Sequence, residues 1–159
     1  MKYLLDINVL LAFWYEHHVH SARVAQWVRL IKTIETDQPP FATCAIVELG
    51  FIRIASGKSA MANDLTVALS DLRHLRAVLR LRLINDELDG NQLPNWVTRS
   101  KQTTDGHLLE LASRHGMRFA TLDGGIPGAL LIPEYDDPVY TDPPSKVQES
   151  AAPAYGAAA

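Results

Sequence analysis

Apolar residues near the start of the chain fall into two kinds of run. Tyr3-Leu4-Leu5 is short and continuous, the pattern of a strand buried on both faces of a parallel sheet, whereas Val9 to Tyr15 is long enough for a helix. Further on, Val24, Trp27, Val28 and Ile31 recur at helical spacing within His20 to Ile34, and Asp37-Gln38-Pro39-Pro40 breaks that helix. Phe41-Ala42 predicts a second strand, and Thr43 is placed to cap a third helix, Cys44 to Ala55, closed by Ser56-Gly57. A fourth helix is predicted from Ala60 to about Leu75, and the alternation from Val78 to Ile84 predicts a third strand. Asp86 to Gln102 has no clear period, although Pro94 suits the first turn of a short helix. Thr104 to His115 reads as a helix closed by Gly116. Arg118 to Leu122 and Leu130 to Ile132 read as the last two strands.

Strands that alternate with helices predict an α/β fold with a parallel sheet covered on both faces. The expected architecture is a three-layer α/β/α sandwich around a central, mainly parallel sheet of 4–5 strands, occupying residues 1–135. Residues 136–159 change character: Pro138, Pro143, Pro144 and Pro153 stand among acids, alanines and small polar residues, and the segment reads as a mobile tail.

At 159 residues the chain suits one domain, and 47% hydrophobic with 21% charged residues is an ordinary globular balance. No apolar run approaches the length of about 18 residues needed to span a membrane, so no membrane association is expected. Lys2 before apolar residues resembles the start of a signal peptide, but Asp6 and Asn8 interrupt the apolar region. A single cysteine, Cys44, leaves no internal disulfide and no multi-cysteine zinc site; a buried thiol and a cytoplasmic location are expected. The net charge of -3 supplies no global attraction to nucleic acid, so binding would need a local basic surface or metal ions.

Four acids stand where the apolar pattern leaves little room for charge. Asp6 follows the first strand, at the edge where open α/β sheets bind ligands. Glu48 interrupts a helix that is apolar nearly all round. Asp105 heads the stripe Leu108, Leu109 and Ala112, at a helix start that favours an anion. Asp123 follows Phe119-Ala120-Thr121-Leu122 as Asp6 follows its own strand. Each has a local alternative: Asp6 and Asp105 as helix caps, Glu48 as a surface acid, Asp123-Gly124-Gly125 as a turn. Were the four to converge, each pair at about 5 Å and an effective dielectric of about 20 would cost roughly 3 kcal/mol. The total, on the order of 20 kcal/mol, exceeds the stability of a typical domain, so the cluster must bind cations or hold protons. All-oxygen ligands select hard ions such as Mg²⁺ or Mn²⁺.

The chain resembles the PIN-domain family, and most closely its VapC-type ribonuclease toxins of bacterial toxin–antitoxin pairs. The matching pieces are Leu5-Asp6-Ile7-Asn8-Val9-Leu10-Leu11-Ala12, Thr43 leading to Glu48, Thr104-Asp105 with Leu108 to Ala112, and Ala120-Thr121-Leu122-Asp123, in the family's order. The resemblance implies a PIN-like nuclease domain over 1–135, with Asp6, Glu48, Asp105 and Asp123 as the acidic quartet that holds Mg²⁺, or Mn²⁺ in its place. It implies that Asp6 and Asp105 are the most direct ligands, and that Asn8, Thr43 and Thr121 line or support the site. It also implies an RNA substrate, products with a 5′-phosphate and a 3′-hydroxyl, a homodimer, and a cognate small antitoxin protein. The antitoxin's basic residue would enter the acidic site, and the helix carrying Trp27 would offer an apolar groove for the rest of its segment.

Other readings stay open at this level. Six histidines, with His17, His18 and His20 close together, permit a metal-free ribonuclease but leave the four acids without a role. A phosphatase with Asp6 as nucleophile would want a second aspartate where Asn8 stands. A stand-alone PIN-type nuclease and a catalytically silent binding module complete the alternatives. Arg73, Arg76 and Arg80 form a stripe that would either grip phosphate or face solvent.

Overall fold

The computed structural model of the chain describes residues 1–34, 38–57 and 64–135. Five strands, β1 (Tyr3–Leu5), β2 (Phe41–Thr43), β3 (Arg82–Leu83), β4 (Arg118–Thr121) and β5 (Leu130–Leu131), form one sheet in the order β3-β2-β1-β4-β5. Every pairing is parallel, with Leu4 opposite both Ala42 and Phe119. Among the described residues the α-helices are α1 (Ile7–Trp14), α2 (Ser21–Ile34), α3 (Ala45–Ala55), α4 (Leu65–Leu79) and α5 (Thr103–Arg114). The architecture is the expected α/β/α sandwich.

Its topology follows from the connections. The chain steps from β1 outward to β2 and β3, then returns past β1 to lay down β4 and β5. Right-handed crossovers in opposite directions leave their helices on opposite faces, so α5 lies across the sheet from α1 to α4. The direction reverses between β1 and β4, which opens the crevice where sheets of this kind bind ligands. Tyr3, Leu4 and Leu5 are all buried because β1 is the central strand.

Trp27 locks α2 to the start of the sheet. Its ring lies 5.2 Å from Tyr3 in an edge-on arrangement and 5.5 Å from Phe41. At 4% exposure Trp27 itself belongs to the core, whereas Leu30 and Ile34 of the same helix are exposed. Trp27→Ala should cost about 3–5 kcal/mol through the lost packing and the cavity left behind. Urea unfolding of the variant measures that loss, and a change below 1 kcal/mol would mean that α2 is only loosely docked.

Several boundaries differ from the sequence reading for identifiable reasons. The helix expected from Val9 begins at Ile7, because Asp6 caps it by accepting the Ile7 N–H at 2.7 Å. The fourth helix runs to Leu79, which is buried, and ends on Arg80 in the left-handed conformation at φ 52°. The third strand is accordingly only Arg82–Leu83. Thr43 is not the helix cap: it is the last residue of β2, its carbonyl accepts from the Ile84 N–H, and Cys44 takes the cap position without a side-chain bond. No helix forms at Pro94; a 3-10 turn at Ser100–Gln102 leads into α5 instead. Cys44 is a buried free thiol. Among the described residues no helix is long and apolar enough to cross a membrane. The expected helical residues 60–63, the breaker Asp37 and the expected tail 136–159 lie outside the described residues.

Candidate active site

Because all five strands run the same way, their carboxyl ends share one edge of the sheet. Asp6 follows β1, Thr43 ends β2, and Thr121 ends β4 with Asp123 two residues on. Asp6 is only 5% exposed. Its Oδ1 accepts the Ile7 N–H, and its Oδ2 accepts the Thr121 hydroxyl at 2.7 Å. Thr121 Oγ1 in turn accepts the Asp123 N–H at 3.0 Å, so one hydroxyl ties the ends of β1 and β4 together across the crevice. Asp123 is exposed, and its Oδ1 accepts the Gly125 N–H at 2.7 Å in a tight turn. The turn expected there and the position beside Asp6 are thus compatible. Asp105 is half-buried in the first turn of α5, which packs on β1 and β4.

The electrostatics bind these three acids into one unit. Burial raises the Asp6 carboxyl above its ordinary value, the bonds from Thr121 and Ile7 oppose that rise, and the charges of Asp105 and Asp123 add to it. Burial raises Asp105 as well, and Asp123 pushes it further. Glu48 stands apart. Burial raises it too, but Arg76 of α4 opposes the rise, with Nε 3.6 Å from Glu48 Oε1. That distance makes an ion pair but not a hydrogen bond. The buried Glu48 Oε1 and Thr43 Oγ1 make no hydrogen bond to the protein. Arg76 is therefore engaged with Glu48, while Arg73 is exposed and Arg80 serves as the end of α4.

A shallow cleft of about 530 Å³ opens beside Asp123. Asn8 lies in it with His18, His20 and Leu122. Burial, and then the neighbouring His20, hold His18 below its ordinary value. His107 of α5 meets Asp86, in the segment after β3, at 2.6 Å. The two stand 21 positions apart with no motif between them, so the sequence carries no sign of the pair.

The donor set fits a hard divalent cation. The Thr121 hydroxyl bonds Asp6, the Asp105 and Asp123 carboxylates act on it electrostatically, and acids that repel one another gain from an added positive charge. Among the described residues, no three His, Cys, Asp or Glu side chains are already close enough to enclose an ion. The four acids are thus not gathered into one ready-made coordination shell: Glu48 is paired with Arg76, and Asp123 is held in its turn by the Gly125 N–H.

No family model matches the chain. It is 33% identical over 129 residues to Ribonuclease VapC38 of Mycobacterium tuberculosis, an alignment covering 77% of this chain and 86% of that protein. It is 34% identical over 142 residues to Ribonuclease VapC29 of the same organism, covering 84% and 98%. Ribonuclease VapC39 is 30% identical over 134 residues, covering 79% and 91%. The chain belongs to the VapC family. As a VapC-family chain it carries the acids Asp6, Asp105 and Asp123 on the edge of the sheet that its topology marks for ligands.

The raised carboxyls give this VapC-family chain a definite pH dependence. A carboxyl whose value is higher in the folded state binds more protons there than in the unfolded chain. Stability then falls as pH rises from the ordinary carboxylate range through the raised folded values. Asp6, Glu48 and Asp105 all act in that direction. In EDTA the melting temperature should therefore decline as pH rises from about 4 through the raised values, and Asp105→Asn should flatten the decline. A parent protein whose melting temperature rises across that interval would show that other groups dominate.

Proposed function

We propose that this chain is a metal-dependent endoribonuclease and the toxin of a toxin–antitoxin pair. Membership in a family whose relatives are named ribonucleases supports RNA cleavage. The observation that carries the mechanism is Asp6: a carboxylate buried at the end of the central strand, tied through Thr121 to Asp123 and electrostatically coupled to Asp105. Asp6 and Asp105 would hold Mg²⁺ or Mn²⁺ most directly, with Asp123 and Glu48 completing the acidic surround. When bound, such an ion polarises the phosphodiester and activates water for in-line attack. Thr121 and the Ile7 N–H fix the Asp6 carboxylate in one orientation, so its oxygens need not reorganise as charge develops. Arg76 holds Glu48 and partly offsets its charge, leaving it a supporting acid. Asn8 faces the cleft beside Asp123, where it can meet substrate.

A homodimer, a cytoplasmic location and a small antitoxin encoded beside this chain complete the reading. The acidic site would accept an Arg or Lys from the antitoxin in the place of metal. Apolar anchors must carry much of that affinity, because a buried charge pair alone roughly breaks even. Expression of the parent should arrest growth, and expression of Asp6→Asn should not. Co-expression of the intact neighbouring protein should restore growth, and truncating its basic C-terminal segment should restore cleavage. If growth stays arrested and no complex forms, a stand-alone nuclease replaces the toxin.

Thr121→Val tests the hydroxyl that links the two strand ends. It removes the bond to Asp6 Oδ2 and the acceptor of the Asp123 N–H without changing side-chain shape. Cleavage should fall roughly 10- to 100-fold, and metal affinity with it, as for other partners that orient a ligand. Isothermal titration with Mn²⁺ measures the affinity; an unchanged value would make Thr121 a packing residue.

A further inference from the structure

We propose that the cleft walled by His18 and His20 seats the base of a nucleotide flanking the scissile phosphate, and so contributes to sequence preference. The proposal rests on the ribonuclease reading and assigns a recognition subsite beside its acids. The two imidazole rings stand 5.8 Å apart at 47°, and both line the same opening of about 530 Å³. Asn8 and Asp123 line it too, so the cleft is continuous with the site: Asp123 is joined to Asp6 through the Thr121 hydroxyl.

The geometry of the His18 to His20 turn is fixed by its backbone. The His20 N–H donates to His18 Nδ1 at 3.2 Å, the Ser21 N–H donates to the His18 carbonyl at 2.9 Å, and the His18 N–H donates to the Tyr15 carbonyl at 2.9 Å. The two rings are therefore presented from one short turn between α1 and α2. Both residues remain half-buried, while Val19 between them is 87% exposed. A half-buried pair of aromatic faces beside a phosphodiester-cleaving site has the chemistry that single-stranded RNA recognition uses: an unstacked base laid on a ring, with polar groups nearby to read its edge. Asn8 supplies an amide with both donor and acceptor capacity in the same cleft.

The turn contributes faces rather than charge, and that distinction is testable. His20→Ala removes one face while keeping the backbone bond from the residue-20 N–H to His18 Nδ1. His20→Phe keeps a face and removes both ring nitrogens. Each protein would be assayed on a short RNA with one mapped cleavage site, and on the same RNA with an abasic nucleotide on either side of that site. The parent should lose roughly ten- to a hundred-fold in kcat/KM on one of the two abasic RNAs, the range set by loss of one stacked base. His20→Ala should lose a similar factor on the intact RNA, mainly through KM, and should no longer distinguish that abasic RNA. His20→Phe should recover most of the loss. The Mg²⁺-induced rise in melting temperature should be the same in all three proteins. Equal discrimination by parent and His20→Ala would overturn the proposal, as would a His20→Phe variant no better than His20→Ala. A parent that cleaves no RNA would overturn the ribonuclease reading and this subsite with it, whereas cleavage without base discrimination would remove the subsite alone.

Discussion

Asp6→Asn should lower RNA cleavage by at least about 100-fold, the loss expected when one preorganised group that stabilises developing charge is removed. The fold should survive. Asparagine is as good an N-cap as aspartate, so the Ile7 N–H keeps an acceptor. The substitution also removes a buried charge that Asp105 and Asp123 repel. A variant that is inactive and at least as stable as the parent in EDTA therefore marks Asp6 as chemical. A variant that is inactive because it has unfolded would leave Asp6 a structural cap. Thermal melts run beside the cleavage assay distinguish the two outcomes.

The second large effect is thermodynamic. A ligand that binds only the folded state stabilises it by about 2.7 kcal/mol at roughly a hundredfold excess over Kd. For a chain of this size that raises the melting temperature by about 5–10 °C. Mg²⁺ or Mn²⁺ should produce such a rise in the parent, because the ion offsets the repulsion among Asp6, Asp105 and Asp123. Asp105→Asn should shrink the shift without lowering stability in EDTA. Glu48→Gln should shrink it less, since Glu48 is already paired with Arg76. An equal shift in parent and Asp105→Asn would place the ion elsewhere.

The parts of this site that depend on chain order were legible in the sequence. Asp6 and Asp123 stand just beyond the ends of parallel strands, and a single acid after a continuous apolar run shows that position in the sequence. Asp105 was legible because the apolar stripe of α5 shows which way its first turn faces. Pairings set by helix packing were not legible. Glu48 meets Arg76 only because α3 packs on α4, and the arginine stripe alone could not tell a phosphate grip from a partner for Glu48. The Asp86–His107 contact depends on how the loop after β3 folds back on α5. Thr43 looked like a cap because threonine before a helix usually is one. Its carbonyl is taken by the Ile84 N–H as β3 pairs with β2, which moves the helix start one residue later. The third strand is shorter than its alternation predicts because a helix end at Arg80, without glycine or proline, leaves no sequence signal.

The most direct test of the proposed metal-dependent mechanism is cleavage of a defined RNA by the purified chain as Mg²⁺ is restored from EDTA, with both product ends identified. Cleavage should be absent in EDTA, return with Mg²⁺, and leave a 5′-phosphate and a 3′-hydroxyl. Cleavage that persists in EDTA and leaves 2′,3′-cyclic phosphate ends would contradict it, and would point to histidine acid–base chemistry on the ribose instead.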